Sequence, residues 1–286
     1  MNNRALLTLL LILAACTSVP STVAGESAWP QWRGPERNGH TTGPRWPDDL
    51  SGNTLKQSWR EELGPSYSGP VVNDHAVFTT ETIGKDTEAA RAYDRKTGRL
   101  LWSNEWKGGT TVPFFAKANG DWIRATPALD GDKLFVAGMR DLLICLDTAT
   151  GAEQWRIDFV ERLDAPEPDF GFVSSPLADG DHIYVQAGAS FVKIHKDDGT
   201  IVWQSLHDRG GMMGSAFSSP VIETIAGHRQ LIVQTREKLA GIDPSNGSVL
   251  WEQPVKAFRG MNILTPTVHE DVVFTSTYGG RTTGYR

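Results

Sequence analysis

Cysteine is nearly absent: among 286 residues there are only Cys16 and Cys145. Because Cys16 lies in a leader-like segment, no disulfide framework is expected within the mature fold. Clusters of Lys and Arg interleaved with aromatics are also missing, and the net charge of −6 is spread over both signs. Nucleic acid is therefore not an expected partner. No apolar run approaches the roughly 20 residues that a permanent membrane helix needs. The seven histidines stand singly at 40, 75, 182, 195, 207, 228 and 269, without metal-ligand spacing, so no metal site is expected.

What the chain does have is turn formers and large aromatics: 29 Gly, 16 Pro and 10 Trp. That mixture suits many short strands joined by turns, with tryptophan supplying core area where each sheet is thin.

The N-terminus carries one positive charge, Arg4, followed by an apolar run over residues 5–13 broken only by Thr8. Residues 1–15 therefore read as a signal peptide, to be set aside from the fold. The run ends Leu13-Ala14-Ala15-Cys16, which resembles the bacterial lipoprotein signal, in which a cysteine after small residues receives the lipid. That resemblance implies lipidation at Cys16. Because Thr17 is not Asp, it also implies an outer-membrane anchor facing the periplasm. Ordinary secretion with cleavage after Ala24 is the alternative, giving a soluble periplasmic or secreted protein. Residues 16–28 become a flexible tether, and the domain runs over 29–286.

The domain is organised by a repeat. Ala92, Asp94, Gly98 and Trp102 return as Cys145, Asp147, Gly151 and Trp155, then as Lys193, His195, Gly199 and Trp203, then as Gly241, Asp243, Gly247 and Trp251. The tryptophans step by 53, 48 and 48 residues, a period that means a repeat architecture. Each unit opens on a residue pair ending in proline: Gly69-Pro70, Thr126-Pro127, Ser175-Pro176, Ser219-Pro220 and Thr265-Pro266. Alternating strands bounded by turns such as Asp130-Gly131-Asp132 then read as hairpins. Four short antiparallel strands per unit describe a blade, so the expected fold is an all-β propeller with about five blades. The aspartates should hold the turns, and the small Ala92, Cys145 and Gly241 should leave room for the neighbouring blade's tryptophan. Lys193 breaks that pattern. Residues 55–60, with Trp59, read as a final strand lacking its own blade. The stretch Trp29-Pro30-Gln31-Trp32-Arg33-Gly34-Pro35 reads as a segment covering the body.

The A-x-D-x-x-x-G-x-x-x-W pattern resembles the repeat of pyrroloquinoline quinone (PQQ) dehydrogenases and of BamB-like outer-membrane assembly lipoproteins. The resemblance covers nearly all of the chain from Trp59 onward. It implies seven or eight blades in an intact protein, so the sequence, truncated in its fifth repeat, is expected to be a piece of a longer one. For the enzyme branch it also implies an adjacent cysteine pair over the quinone, which is missing here. No catalytic residue or cofactor is therefore expected. PQQ and calcium belong only to the alternative of a quinoprotein dehydrogenase, and a carbohydrate- or small-ligand-binding propeller is the other.

Local motifs point the same way. Asp169-Phe170-Gly171 copies a kinase tripeptide without the accompanying loops and reads as a turn. Gly210-Gly211-Met212-Met213-Gly214 does not lead from a strand into a helix, so it does not read as a phosphate loop. Tyr67, Phe172 and Phe217 fall just before the proline-marked strand starts, with Asn262 and Ile263 matching in the fifth unit. Together with Met212, Met213 and Phe114-Phe115 they are the expected binding face at one mouth of the channel. The function expected is a non-catalytic, lipid-anchored scaffold, BamB-like, that binds protein partners in envelope assembly.

Overall fold

The computed structural model describes residues 28–41, 47–52 and 54–286; the expected signal peptide, Cys16 and all but the last residue of the tether lie outside the described residues. The proline-marked starts lead into five successive antiparallel sheets. The first contains β1 (Val71–Val72), β2 (Ala76–Ile83), β3 (Thr87–Asp94) and β4 (Leu100–Lys107). The second contains β5 (Ala128–Asp130), β6 (Lys133–Gly138), β7 (Leu142–Asp147) and β8 (Glu153–Asp158). The third contains β9 (Leu177–Asp179), β10 (His182–Ala187), β11 (Ser190–His195) and β12 (Ile201–Ser205). The fourth contains β13 (Val221–Ile225), β14 (His228–Gln234), β15 (Lys238–Ile242) and β16 (Val249–Pro254), and the fifth β17 (Thr267–His269), β18 (Val272–Ser276) and β19 (Thr282–Tyr285). Each sheet is a meander in sequence order, and β5 lies beside both β1 and β9, so the first strands line the axis.

Burial explains why the middle strands read as apolar runs. In β6 and β7 every residue from Leu134 to Gly138 and from Leu142 to Leu146 is buried, because a neighbouring blade covers each face. The outer strand β16 has no such cover and is exposed along most of its length. The core is accordingly a series of slabs between blades. One slab joins Phe78, Trp102 and Trp106 of the first blade to Leu134, Val136 and Ile144 of the second. Such blades are stable only as neighbours.

Two fastenings hold successive blades together. On the side away from the axis, each tryptophan lies on the turn glycine of the next blade: Trp59 on Gly98, Trp102 on Gly151, Trp155 on Gly199 and Trp203 on Gly247. The indole N–H donates to the carbonyl just after the turn's first residue, from Trp59 to Arg95 (2.8 Å), Trp102 to Thr148 (2.9 Å) and Trp155 to Lys196 (2.8 Å). Asp94 holds its turn by accepting from the N–H and hydroxyl of Thr97, both at 2.8 Å; Asp147 does the same with Thr150. Those bonds hold the Asp94 and Asp147 carboxyls below the usual range.

The structure changes the expected role of the small residues. Ala92, Cys145 and Gly241 are the cross-strand partners of Trp102, Trp155 and Trp251 in their own blades, while the neighbouring tryptophan rests on the turn glycine. A one-residue bulge before each tryptophan accompanies this register. Lys193 occupies the corresponding place in the third blade without preventing docking. Its ammonium donates to the Pro244 carbonyl at 2.7 Å, and the buried Trp203 indole nitrogen is left without a partner. Residues 55–60 form no strand, since they pair with no neighbour in a ladder; Trp59 nevertheless docks as its counterparts do.

The second fastening rings the axis. The N–H groups of Gly69, Thr126 and Ser175 donate to the hydroxyls of Thr126 (2.9 Å), Ser175 (3.0 Å) and Ser219 (2.9 Å), each in the next blade. This relay gives the residues before Pro127, Pro176 and Pro220 a reason to be Ser or Thr. Inside the relay lies the segment around residues 29–37. Trp29 bridges Val72, the Pro30 carbonyl accepts from Leu129 N (2.7 Å), and the Trp32 indole donates to the Thr265 hydroxyl (3.0 Å). The Arg37 guanidinium donates to the carbonyls of Pro176 (2.7 Å) and Ser175 (3.2 Å), and burial lowers its pKa to about 9. The segment thus occupies the axis and touches the inner strands or strand starts of four blades.

Candidate loop-face binding site

The connections from the last strand of one blade to the first of the next all emerge at one end of the molecule. They carry a 3-10 turn at Phe114–Asn119, the helix α1 (Phe159–Leu163), and further turns at Gly211–Met213 and Phe258–Gly260. Together they build one aromatic chain. Phe114 and Phe115 pack edge to face with ring centroids 5.5 Å apart, Phe115 meets Phe170 at 6.2 Å, and Phe170 meets Phe217 at 5.6 Å. Phe258 and Tyr278 extend it at 6.2 Å.

Two arginines join the rings. The buried Arg236 guanidinium lies 4.7 Å from the Phe217 centroid and 5.4 Å from that of Phe170. Burial lowers its pKa, opposed by the charges of Asp208, Asp169 and Glu237. Arg259 is exposed and sits between Phe258 (5.2 Å) and Phe115 (5.6 Å). Such stacking holds a guanidinium in place while leaving its edge available to hydrogen-bond acceptors. Arg236 also donates to the Arg259 carbonyl at 2.6 Å, tying the buried cation to the exposed one. Phe114 is 84% exposed, Phe258 56% and Tyr278 58%, far more apolar exposure than a blade interior tolerates.

Of the residues expected at this face, Met212 is exposed, while Met213 and Phe217 are half-buried within the cluster. Tyr67 is exposed in a satellite group with Trp122 (5.5 Å) and Arg124 (5.2 Å), and its hydroxyl donates to the Asn119 carbonyl. Phe172 does not belong to the face. It is 2% exposed and packs edge to face on Phe159 at 6.3 Å, because α1 folds the connection back over it. Asn262 is also buried, its amide donating to the carbonyls of Thr235, Arg236 and Val255. The sequence reading missed Phe170, Arg236, Phe258, Arg259 and Tyr278. Aligning the four connections with one another would have found Phe258, since each carries an aromatic.

Two carboxyls with large shifts lie beneath the face, between blades. Glu88 accepts from Met139 N (3.0 Å) and from the Trp106 indole (2.9 Å), and burial pushes its carboxyl up to about 7. Asp141 stands at the same repeat position, accepts from Gly188 N (2.7 Å), and is also pushed up to about 7 by burial, with Asp158, Asp208 and Glu167 adding repulsion. Burial raises the Cys145 thiol to about 12, so it remains protonated and serves as a small apolar residue. These groups are enclosed in packing and offer no exposed acid, base or nucleophile.

Residues 85–285 match the family described as outer membrane protein assembly factor BamB. The chain belongs to the BamB family. Among curated relatives, BamB of Yersinia pestis is 26% identical over 141 residues, which is 47% of this chain and 34% of that protein. Among solved structures, BamB from Moraxella catarrhalis superposes with a TM-score of 0.52 at 16% identity, over 76% of this chain and 57% of that one. The computationally designed protein Ika8 superposes with a TM-score of 0.51 at 10% identity, over the same shares. At such identities the structural likeness shows the propeller fold alone. The chain therefore spans about a third of its curated BamB relative and 57% of the BamB structure. Placed on this BamB-type frame, the aromatic chain sits on loops, where binding residues concentrate, and the repeated Asp, Gly and Trp sit in the fastenings.

Proposed function

We propose that the protein is a non-catalytic scaffold that binds protein partners through its loop face, in outer-membrane protein assembly as the family description states for BamB. The family match over residues 85–285 carries this reading. The exposed Phe114, Phe115 and Phe258 on two connections, Tyr278 on the β18–β19 turn and the exposed Arg259 give it a physical surface. A photo-crosslinking residue at Phe114 or Tyr278 is expected to capture defined envelope proteins in cells. The same residue at Lys96, on an exposed turn at the opposite end, is expected to capture none of them. Equal capture at both ends, or none at the loop face, defeats the reading.

The scaffold needs no cofactor on this reading. It is held at the outer membrane, facing the periplasm, by lipid on Cys16. Cys16→Ala is expected to move the protein from the membrane pellet to the soluble periplasmic fraction. Membrane retention with normal processing would contradict the lipid anchor and leave the loop-face test unaffected.

A further inference from the structure

Charge on the loop face is unevenly distributed. The second and third connections carry Glu161, Asp164, Glu167 and Asp208 beside their cations, and two cations of this region are paired: Arg140 lies 3.7 Å from Glu167, and Arg209 lies 3.1 Å from Glu237 on the β14–β15 turn. At the corner formed by the fourth and fifth blades they are not. The connection over residues 255–266 and the turn over 277–281 carry Lys256, Arg259 and Arg281 and no acidic residue. All three are exposed, and none makes an ion pair among the described residues. The two loops are one unit, since Phe258 N donates to the Tyr278 carbonyl (3.2 Å) and Tyr278 N to that of Met261 (3.3 Å).

This corner is also preorganised. Arg259 has φ of 53°, a left-handed conformation that is costly for a residue with a side chain. The bond from Arg236 to its carbonyl and the flanking rings of Phe258 and Phe115 hold it there. A guanidinium fixed between rings, with its N–H edge free, suits a planar carboxylate. Ile263, 56% exposed, and Tyr278 supply apolar contact beside it.

We propose that this corner receives an extended acidic protein segment, its carboxylates meeting Lys256, Arg259 and Arg281 and its apolar side chains meeting Phe258, Tyr278 and Ile263. The proposal rests on the protein-binding reading and names the partner's chemistry. The net charge of −6 makes the test stringent, because non-specific attraction would favour a basic partner.

The test uses two fluorescein-labelled synthetic peptides and the full chain, read by fluorescence anisotropy. One peptide alternates Asp or Glu with Phe or Leu; the other has Lys at every acidic position. The acidic peptide is expected to bind at least tenfold more tightly, and more weakly as salt is raised. Arg259→Gln is expected to weaken that binding at least fivefold. The double variant Lys256→Gln/Arg281→Gln, which leaves the strained turn untouched, should also weaken it. Equal or tighter binding of the basic peptide overturns the proposal, as does an unchanged affinity in both variants. If the basic peptide binds and Phe258→Ala weakens it, the charge assignment fails and the protein-binding reading stands. If neither peptide binds, the proposal fails, and cross-linking from Phe114 decides separately whether the broader reading fails with it.

Discussion

Trp102→Ala is expected to destabilise the protein by about 3–5 kcal/mol, the usual cost of deleting a large buried aromatic. Trp102 is 8% exposed, packs on Phe78 with centroids 5.9 Å apart, and covers the Gly151 turn of the next blade. Gly151→Ala attacks the same joint from the other side. Its φ is 72°, and a Cβ there would stand 2.6 Å from the Trp102 ring, so both backbone and packing oppose the change. Phenylalanine separates packing from hydrogen bonding. Trp102→Phe also leaves the Thr148 carbonyl without its indole donor, a loss of about 1 kcal/mol. Trp203→Phe loses no such bond, because Lys193 already holds the Pro244 carbonyl and the Trp203 indole nitrogen is unpartnered. Denaturant midpoints should therefore fall further for Trp102→Phe than for Trp203→Phe. The reverse order would contradict the exchange of donors at the third junction.

Between about pH 4.5 and pH 7 stability is expected to decline as pH rises. Glu88 and Asp141 are each pushed up to about 7 in the folded protein, from ordinary values of 4.5 and 3.8. In that window the folded state binds more protons than the unfolded one, so raising the pH favours unfolding. Each carboxyl contributes on the order of 3 kcal/mol across the full window. The turn aspartates Asp94, Asp147 and Asp243 act in the opposite sense: their folded values are lowered, and their contribution is lost as pH falls through those values. Maximum stability should thus lie on the acidic side of neutrality. Unfolding midpoints at pH 5.5, 7 and 8.5 measure the decline, and Glu88→Gln with Asp141→Asn should flatten it. An unchanged slope in the double variant would assign the dependence to other groups.

The blades were legible in the sequence because the fastening is repeated. Asp, Gly and Trp recur at one spacing, and each copy reinforces the reading of the others. The relay of hydroxyls was visible only as punctuation before proline, since the partner of Thr126 is 49 residues away in Ser175. The axial position of residues 29–37 was hidden for another reason. The segment occurs once, and its contacts with Leu129, Ser175 and Thr265 depend on several blades being assembled. At the binding face, spacing placed Tyr67, Phe172 and Phe217 alike, but α1 covers Phe172 and so removes it from the face. Arg259 and Tyr278 lie at no repeated position, and two turns that bond to each other bring them together with Phe258.

The fastenings have a direction. Trp59, Trp102 and Trp155, like the amides of Gly69, Thr126 and Ser175, reach forward to an acceptor in the following blade. Glu88 and Asp141 likewise depend on the following blade, accepting from its Met139 and Gly188 amides. A chain delivered from its N-terminus therefore presents each blade before its fastener can close, and the newest blade always completes the one before it. Residues 29–37 reach furthest along the chain, since Trp32 donates to the Thr265 hydroxyl at the fifth strand start. Each joint therefore needs the following blade to close, and residues 29–37 need the first, second, third and fifth units together.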